Sequence, residues 1–474
     1  MKGDAHYSVL WSGIQQFVVF GIQFAVGIVL ARLLNPYDFG VVAMQGVFFA
    51  ISTAFIDCGF EGALIQKKEC TRTDENSAFI FSASISVGLY LLLFFGAPVI
   101  EEFYHTPNLG KVIRVSALVL MINAVGIVPR SLLQRQLRFK DLAVATTSIS
   151  LFSGVVAMFM AYNGYAYWAL VGQTLLAAAL MNMAYYAYSR WWPTWHFSVD
   201  SFRQLFSFGL PMLFTSLVHA VYNNLYSLVI GKRFNAWQLG LYNRAENYSG
   251  YVSYNLSDMS MRALYPLLSR VQDDLAKLKE GALRILHASA FFVIPINVFL
   301  MVKAEDIVVI TLTEKWIAMA PLMQVLCIAK MAYVVSNLHF NLFKAIGRTQ
   351  ILFICELINK ILGILVLLIT FQYGLMAMVW GLLVYAVLNI LVSSWFVYRF
   401  MNISLPEQCQ QVYMVIVNAV IPVLACFLVG ALFGNIYLRL GLSVVAYFSI
   451  YAMIAWLEKD KAIDFLKGYF QKKS

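Results

Sequence analysis

The chain has 474 residues, of which 61% are hydrophobic and only 12% are charged. A soluble domain is about 45–50% apolar and about 25% charged, so this composition excludes an ordinary soluble fold and indicates a polytopic membrane protein. The net charge of +10 does not indicate binding to nucleic acid, because the basic residues are scattered among short loops and form no basic domain.

Neither a metal site nor a cofactor site is indicated by the motifs. The six cysteines are dispersed without CxxC spacing, and the six histidines form no HExxH-type cluster. There is no P-loop and no GxGxxG segment, so the sequence predicts no cofactor and no ATP hydrolysis.

Apolar runs long enough to cross a membrane follow one another along the whole chain. A spanning helix needs about 20 mostly apolar residues, and by that rule we count about fourteen spans. The first run, Val9–Leu34, is too long for a signal peptide and lacks a clear cleavage site, so we interpret it as an uncleaved span. The predicted spans are residues 10–34, 38–64, 77–100, 112–130, 142–163, 166–188, 207–231, 236–268, 285–302, 318–340, 351–371, 374–398, 412–433 and 439–457.

The distribution of basic residues predicts the orientation. With a cytoplasmic N-terminus, about two thirds of the 34 Lys and Arg residues fall in cytoplasmic segments. Both termini are therefore predicted to be cytoplasmic. The longest hydrophilic segments are Arg190–Arg203, Arg270–Arg284 and the tail after Leu457, so no soluble domain is expected. The tail, Glu458–Ser474, is predicted to be either an amphipathic helix on the inner leaflet or a solvated basic extension.

A weak internal repeat predicts the architecture. Ile28–Val42 and Leu228–Tyr242 share Asn35 with Asn235 and Gly40 with Gly240 at an offset of 200 residues, each copy at the turn between two spans. The predicted fold is all-α, with two parallel six-helix lobes around a central cavity plus two C-terminal helices. The corresponding regions are residues 1–200, 201–404 and 405–474, the last including the basic tail.

The predicted eighth span carries a polar stripe. Its members recur at steps of three and four, which places them on one face of a helix, and charged groups inside a membrane usually face a bundle interior or a watery cavity. An alternative is structural pairing of Arg244 with Glu246 and of Asp258 with Arg262. The stripe consists of Arg244, Asn247, Tyr251, Asn255, Asp258 and Arg262.

Several segments resemble Wzx-type polysaccharide flippases of the WzxC/TuaB-like branch, in the MOP superfamily that also contains MATE exporters. They are Ala31–Gly40, Asp57–Ile65, Pro129–Phe139 and Gly240–Glu246. The resemblance covers most of the chain. It implies transfer of an undecaprenyl-pyrophosphate-linked oligosaccharide across the membrane, with membrane lipids and polysaccharide polymerase or export machinery as partners.

Such a substrate needs cations for its phosphates and hydrogen-bonding or aromatic groups for its sugars. Arginine binds phosphate through a planar, permanently charged fork, which makes Arg244 and Arg262 candidates at two levels of a path. Asn223 and Asn224 of the seventh span, with nearby tyrosines, are candidates for sugar contacts. The alternative for these groups is polar packing between helices.

Intramembrane charges elsewhere are candidates for ion coupling. Glu356 and Lys360 are four residues apart, Lys330 lies in the tenth span, and Asp57 lies near the end of the second. Structural pairing of Glu356 with Lys360 is the alternative. Pro211, Pro295 and Pro422 are expected to kink or break their helices.

Two other function classes remain open. A MATE-like small-molecule antiporter would favour a carboxylate-rich cleft, whereas the stripe carries two arginines and one aspartate. A membrane enzyme of polysaccharide synthesis would need an acidic centre, for which Glu101, Glu102 and His105 are the available residues. The prediction is a transporter and not an enzyme.

Overall fold

The computed structural model describes residue 19, residues 21–270 and residues 274–458, without the side chains of residues 259–260, 262–267 and 269–270. The predicted tail helix after Leu457 and the first residues of the first span lie outside this part. The described chain is helical and divides into two compact units, Met1–Gly240 and Leu241–Ser474.

Among the described residues, ten helices belong to the first unit. They are α1 (Gly21–Leu33), α2 (Pro36–Met44), α3 (Gly46–Asp57), α4 (Phe60–Gln66), α5 (Arg72–Tyr104), α6 (Leu109–Ser116), α7 (Leu118–Arg135), α8 (Phe139–Tyr162), α9 (Tyr167–Ser189) and α10 (Val199–Arg233).

Helix α11 (Ala236–Arg270) begins at the end of the first unit and runs into the second. The second unit continues with α12 (Leu275–Val302), α13 (Ala304–Leu312), α14 (Ala320–Met331), α15 (Tyr333–Ala345), α16 (Thr349–Thr370), α17 (Leu375–Met401), α18 (Leu405–Val420), α19 (Val423–Leu432) and α20 (Ile436–Leu457). Short 3-10 helices at Glu314–Met319 and Phe371–Tyr373 join neighbouring α-helices.

Twelve helical segments in the described part are long and apolar enough to span a membrane. Each coincides with a predicted span, and several combine consecutive helices, as in Pro36–Gln66 and Leu405–Leu432. The other two predicted spans correspond to α1, which is described only from Gly21, and to α11, which is long enough but too polar for the same criterion. The structure is therefore compatible with a count of fourteen.

Local chemistry accounts for where the helices begin. At the start of α5, the Thr71 hydroxyl accepts a hydrogen bond from the Asp74 amide at 3.2 Å, and the Asp74 carboxylate accepts from the Thr71 amide at 2.9 Å. Ser404 and Glu407 form the same reciprocal cap at the start of α18. These caps satisfy amide groups that the first turn of a helix leaves without partners.

Prolines inside the spans leave carbonyl groups without their helical donor, and side chains of other helices supply one. Pro129 removes the donor for the Val125 carbonyl, which accepts from the Tyr186 hydroxyl at 2.9 Å. Pro295 likewise removes the donor for the Phe291 carbonyl, which accepts from the Tyr451 hydroxyl at 2.9 Å. The Phe94 carbonyl, orphaned by Pro98, accepts from Arg114 at 3.1 Å.

The three prolines singled out in the sequence behave differently from one another. Pro295 and Pro211 lie inside the continuous helices α12 and α10, whereas Pro422 separates α18 from α19. Only the last is therefore a break in the helix.

The repeated segments have the same local structure. Residues 31–33 and 231–233 end a helix, a two-residue break follows, and new helices begin at Pro36 and Ala236. The pattern of buried and exposed residues is also nearly the same in the two copies. The short sequence match therefore corresponds to a structural repeat of helix, turn and helix.

The division into units differs from the predicted lobes in the placement of α10. This helix lies after the predicted boundary at residue 200, yet it packs on α3, α4 and α5 within the first unit. A core containing Cys58, Phe60, Phe79, Trp191 and Leu205 joins these elements. The three-part division at residues 200 and 404 stays a prediction.

Candidate functional site

Helix α11 has one tightly buried face and one less buried polar face. Ser249, Ser253 and Ser257 follow one another at steps of four and are at most 1% exposed. Asn297 of α12 donates to the Ser253 hydroxyl at 3.0 Å, which places this small-residue face against α12. The predicted stripe lies on the other side, with Arg244, Tyr251, Asn255 and Asp258 half-buried and Asn247 exposed.

An ion pair connects α11 to α14. The Lys330 ammonium lies 2.7 Å from the Glu246 carboxylate, which also accepts a hydrogen bond from the Tyr254 hydroxyl at 3.1 Å. Lys330 also donates to that hydroxyl and lies 4.7 Å from the centre of the Tyr254 ring. Glu246, which the sequence suggested as a partner for Arg244, thus pairs with a lysine that lies 84 residues away in the chain.

A second carboxylate on α11 is held by α15. The Asp258 carboxylate accepts hydrogen bonds from the Tyr333 hydroxyl and the Asn337 amide, both at 3.1 Å. Tyr333 also packs edge-on against Tyr254, with ring centres 4.7 Å apart, which links this cluster to the ion pair. We call the connected set the α11 network, and it comprises Glu246, Tyr254, Asp258, Lys330, Tyr333 and Asn337.

The other predicted binding residues lie in several places. Asn255 donates to the Tyr251 carbonyl of its own helix at 2.6 Å. Asn223 and Asn224 lie on α10 in the first unit, where Asn224 donates to the Ala220 carbonyl at 2.8 Å. The side chain of Arg262 lies outside the described residues, and so does its predicted pairing with Asp258.

The four candidates for ion coupling do not form one cluster. Glu356 and Lys360 face each other on α16 at 4.0 Å, and Lys330 belongs to the α11 network. Asp57 ends α3 in the first unit, and its carboxylate accepts from the Glu61 amide at 3.2 Å. Their roles in coupling stay predictions.

The acidic residues predicted to form an enzyme-like centre include a helix cap at the end of α5. The Glu101 carboxylate accepts from the amides of Asn108 and Gly110 at 3.0 and 2.8 Å, at the start of α6. A carboxylate at this position satisfies free amide groups and complements the positive end of the helix dipole. In the described part of the chain, no three His, Cys, Asp or Glu side chains come together as a metal site would require.

The sequence did not predict three members of the network correctly. Glu246 was considered only as a partner of Arg244, and Tyr333 and Asn337 were not considered. Tyr333, Asn337 and Asn341 are spaced four residues apart in α15, so a polar stripe was present in an otherwise apolar span. Asn341 continues the contacts by donating to the Asn337 side chain at 3.0 Å. The spacing could have indicated this face, but only packing identifies α11 as its partner.

Known proteins resemble the chain in sequence and in fold. It is 25% identical over 391 residues to the lipopolysaccharide biosynthesis protein WzxC of Escherichia coli, covering 81% of this chain and 78% of that protein. It is 26% identical over 412 residues to the teichuronic acid biosynthesis protein TuaB of Bacillus subtilis, covering 85% and 84%.

Among solved structures, the lipid II flippase MurJ in an inward closed conformation superposes with a TM-score of 0.76 at 13% identity, covering 94% of this chain and 99% of that one. This likeness confirms the all-α, multi-pass membrane fold, and the WzxC and TuaB matches confirm the resemblance that the motifs indicated. Residues 29–321 match the family described as polysaccharide biosynthesis protein, and the chain belongs to that family.

Proposed function

We propose that the chain is a flippase that moves an undecaprenyl-pyrophosphate-linked oligosaccharide from the cytoplasmic to the outer leaflet of a bacterial inner membrane. Membership of the polysaccharide biosynthesis family supports a role in polysaccharide assembly. The roles of WzxC and TuaB in lipopolysaccharide and teichuronic acid biosynthesis support it further. The shared fold with a lipid II flippase supports a lipid-linked substrate.

The observation that carries the proposal is the ion pair between Glu246 and Lys330. A lysine and a glutamate in the middle of membrane helices are expensive to keep, and such residues usually serve a substrate or ion path. Lysine is a common ligand of phosphate, and this one is held by a carboxylate that a diphosphate could displace. Lys330 is therefore the cation that we assign to the diphosphate.

The rest of the network suits a sugar. Tyrosine hydroxyls, an amide and a carboxylate supply both donors and acceptors, and aromatic faces pack on the apolar side of a pyranose ring. Tyr254, Tyr333, Asn337 and Asp258 provide these groups beside Lys330. The stripe residues Arg244, Asn247, Tyr251, Asn255 and Arg262, with Asn223 and Asn224, extend the proposed path.

The proposed cycle needs no covalent chemistry by the protein. The headgroup would cross the membrane through a central cavity by alternating access, while the polyprenyl chain stays in the bilayer. Both termini would be cytoplasmic, and polymerase or export machinery would take the product at the outer face. Ion coupling through Lys330, Asp57, Glu356 or Lys360 belongs to the same proposal.

Extraction of polyprenyl-linked intermediates from the host, with and without the gene, tests the function. We expect a complete lipid-linked repeat to accumulate on the cytoplasmic side while surface polymer falls. A missing or incomplete intermediate would assign the protein to synthesis and refute the flippase. An unchanged lipid pool would also refute it and point to export of a small molecule.

A further inference from the structure

The segment between α9 and α10, residues 190–198, is held by hydrogen bonds to the first two turns of α5 although it has no regular secondary structure. The Trp191 indole donates to the Glu75 carboxylate at 2.7 Å, and the Thr194 amide donates to the Asn76 side chain at 2.8 Å. The Ser198 amide donates to the Ser77 hydroxyl at 3.0 Å. Three consecutive residues of α5 thus hold three points of the segment, which cannot rearrange freely.

Large apolar side chains point outward between these fixed points. Trp192 is 69% exposed and Trp195 is 72% exposed, whereas Trp191 is 2% exposed. The hydrogen bonds of Trp191, Thr194 and Ser198 to α5 lie on both sides of each exposed ring along the chain. Phe197 also lies on the outer side of the segment.

The neighbouring connection between α7 and α8 also carries exposed apolar side chains. Leu137 is 72% exposed, and Phe139 beside it is exposed as well. Arg138 donates to the Tyr188 carbonyl at 2.6 Å, which brings this loop against the end of α9. We call the five outward side chains, Leu137, Phe139, Trp192, Trp195 and Phe197, the apolar collar.

Two members of the collar have an unfavourable backbone conformation. Leu137 has φ of 56° and Trp195 has φ of 55°, a left-handed region that bulky residues rarely adopt. Such strain persists only where surrounding contacts impose it, and it is frequent at functional positions. The outward display of these two side chains is therefore imposed by the fold.

Basic residues surround the collar at the ends of the spans. Lys140, Arg190 and Arg203 are exposed, and Arg138 lies between the two exposed apolar residues of its loop. Several helices begin or end beside this surface. Helices α7 and α9 end there, at Arg135 and Ser189, and helices α5, α8 and α10 begin there, at Arg72, Phe139 and Val199. The collar therefore lies at the level where the spans leave the membrane, on the side that the charge distribution predicts to be cytoplasmic.

We infer that the apolar collar and its basic neighbours bind anionic phospholipid of the cytoplasmic leaflet. Tryptophan favours the membrane–water boundary because its ring is apolar and its N–H is polar. Lys and Arg beside it are attracted to an anionic headgroup surface. The segment is thus an interfacial anchor, although its sequence had suggested a hydrophilic connection. The choice of leaflet rests on the orientation in the proposed function.

A depth measurement tests the lipid contact. Nitroxide labels are placed at Trp195→Cys, at Leu151→Cys in the middle of α8 and at Lys111→Cys, which is exposed near the start of α6 on the predicted outer side. Each is made in a Cys70→Ser, Cys409→Ser background in lipid vesicles. We expect the label at 195 to lie between the other two in its accessibility to oxygen and to a water-soluble nickel complex. A label as accessible to nickel as the one at 111, or as deep as the one at 151, would overturn the inference.

A stability measurement tests the headgroup preference. In the wild-type protein we expect a higher Tm in phosphatidylglycerol-containing vesicles than in phosphatidylcholine alone, and a Trp192→Ser, Trp195→Ser variant should lose most of that rise. Trp380→Ser is the matched control, because this tryptophan is also exposed but belongs to α17 of the second unit and is not a member of the collar, and it should retain the rise. An equal rise in the double variant would overturn the assignment to anionic lipid.

The leaflet is tested separately from transport. In right-side-out vesicles, ascorbate added outside should leave the label at 195 intact and reduce the label at 111. Reduction at 195 would overturn the cytoplasmic assignment. Export of the lipid-linked repeat is scored independently, so failure of the flippase proposal would leave the depth result unaffected.

Discussion

Gly40 and Gly240 make a reciprocal contact: Gly40 of α2 lies against Ala236 of α11, and Gly240 of α11 lies against Pro36 of α2. A Cβ atom on Gly40 would lie 1.7 Å from the carbonyl oxygen of Ala236, and one on Gly240 would lie 1.9 Å from that of Pro36. Residues 36 and 236 occupy the same place in the two copies of the repeat, as do 40 and 240. The two copies therefore touch backbone to backbone, as two related segments do about a local twofold axis.

Substitution of Gly40 by alanine should destabilise the protein, although alanine normally favours a helix by about 1 kcal/mol. The added methyl group cannot fit, so α2 must move away from the first turn of α11. Overpacking of this kind costs about 1–3 kcal/mol, which should lower the Tm in detergent. Gly88→Ala is the matched control, because a Cβ on that helical glycine meets nothing within 4 Å.

The two glycines should also be coupled. Once Gly40→Ala has separated the helices, Gly240→Ala should cost less than it does alone, so the double variant should be more stable than the sum of the single effects indicates. Equal Tm values for Gly40→Ala and Gly88→Ala would contradict the close contact.

Local patterns in the sequence predicted helices well because helix formation depends on residues three and four apart. The stripe from Arg244 to Asp258 predicted a helix over 236–268, and α11 spans Ala236–Arg270. The short repeat around Asn35 and Asn235 likewise marked two turns with the same structure.

Partners distant in the chain could not be predicted in the same way. The pairing of Glu246 with Lys330 joins residues 84 positions apart, and it depends on how α11 packs on α14. The 190–198 segment was misleading for a similar reason, since its polar residues bind α5 and its aromatic residues face outward. Composition alone does not show which side chains of this segment bind α5 and which face outward.

The pair of Glu246 and Lys330 can be tested by removing its charges one at a time and together. Glu246→Gln or Lys330→Met alone leaves a poorly solvated charge, which costs about 3–5 kcal/mol where a pair is fully buried. The Glu246→Gln, Lys330→Met double variant removes both charges, so its thermal stability should return close to that of the wild type.

Export separates a structural pair from a phosphate ligand. The stable double variant should still fail to export the lipid-linked repeat, because it lacks the cation assigned to the diphosphate. Surface polymer is compared at matched levels of membrane-inserted protein, with Lys111→Met as a control for loss of an exposed lysine near the start of α6. Normal export by the double variant would exclude Lys330 as a phosphate ligand.

The hydroxyl of Tyr186 should stabilise the fold because of Pro129. Tyr186→Phe leaves the Val125 carbonyl without a donor inside the membrane, which costs about 1–3 kcal/mol. In a Pro129→Ala background the alanine amide can donate to that carbonyl, so the same Tyr186→Phe change should cost much less. Tyr162→Phe, which alters an exposed hydroxyl, is the control. Additive effects of the Pro129 and Tyr186 changes in a double-mutant cycle would exclude this compensation.

The native cysteines provide a test of the predicted orientation. Cys58, Cys327, Cys355 and Cys426 are buried, whereas Cys409 is exposed at the start of α18. With both termini in the cytoplasm, Cys409 and the partly exposed Cys70 lie on the cytoplasmic side. A membrane-impermeant maleimide should therefore leave the wild-type protein unlabelled in spheroplasts and label it in inverted vesicles. A Glu102→Cys variant should show the opposite preference for its added cysteine, since Glu102 is exposed at the end of α5 that is predicted to lie on the outer side. Labelling of the wild-type protein in intact spheroplasts would reverse the orientation, and with it the leaflet from which the substrate is proposed to enter.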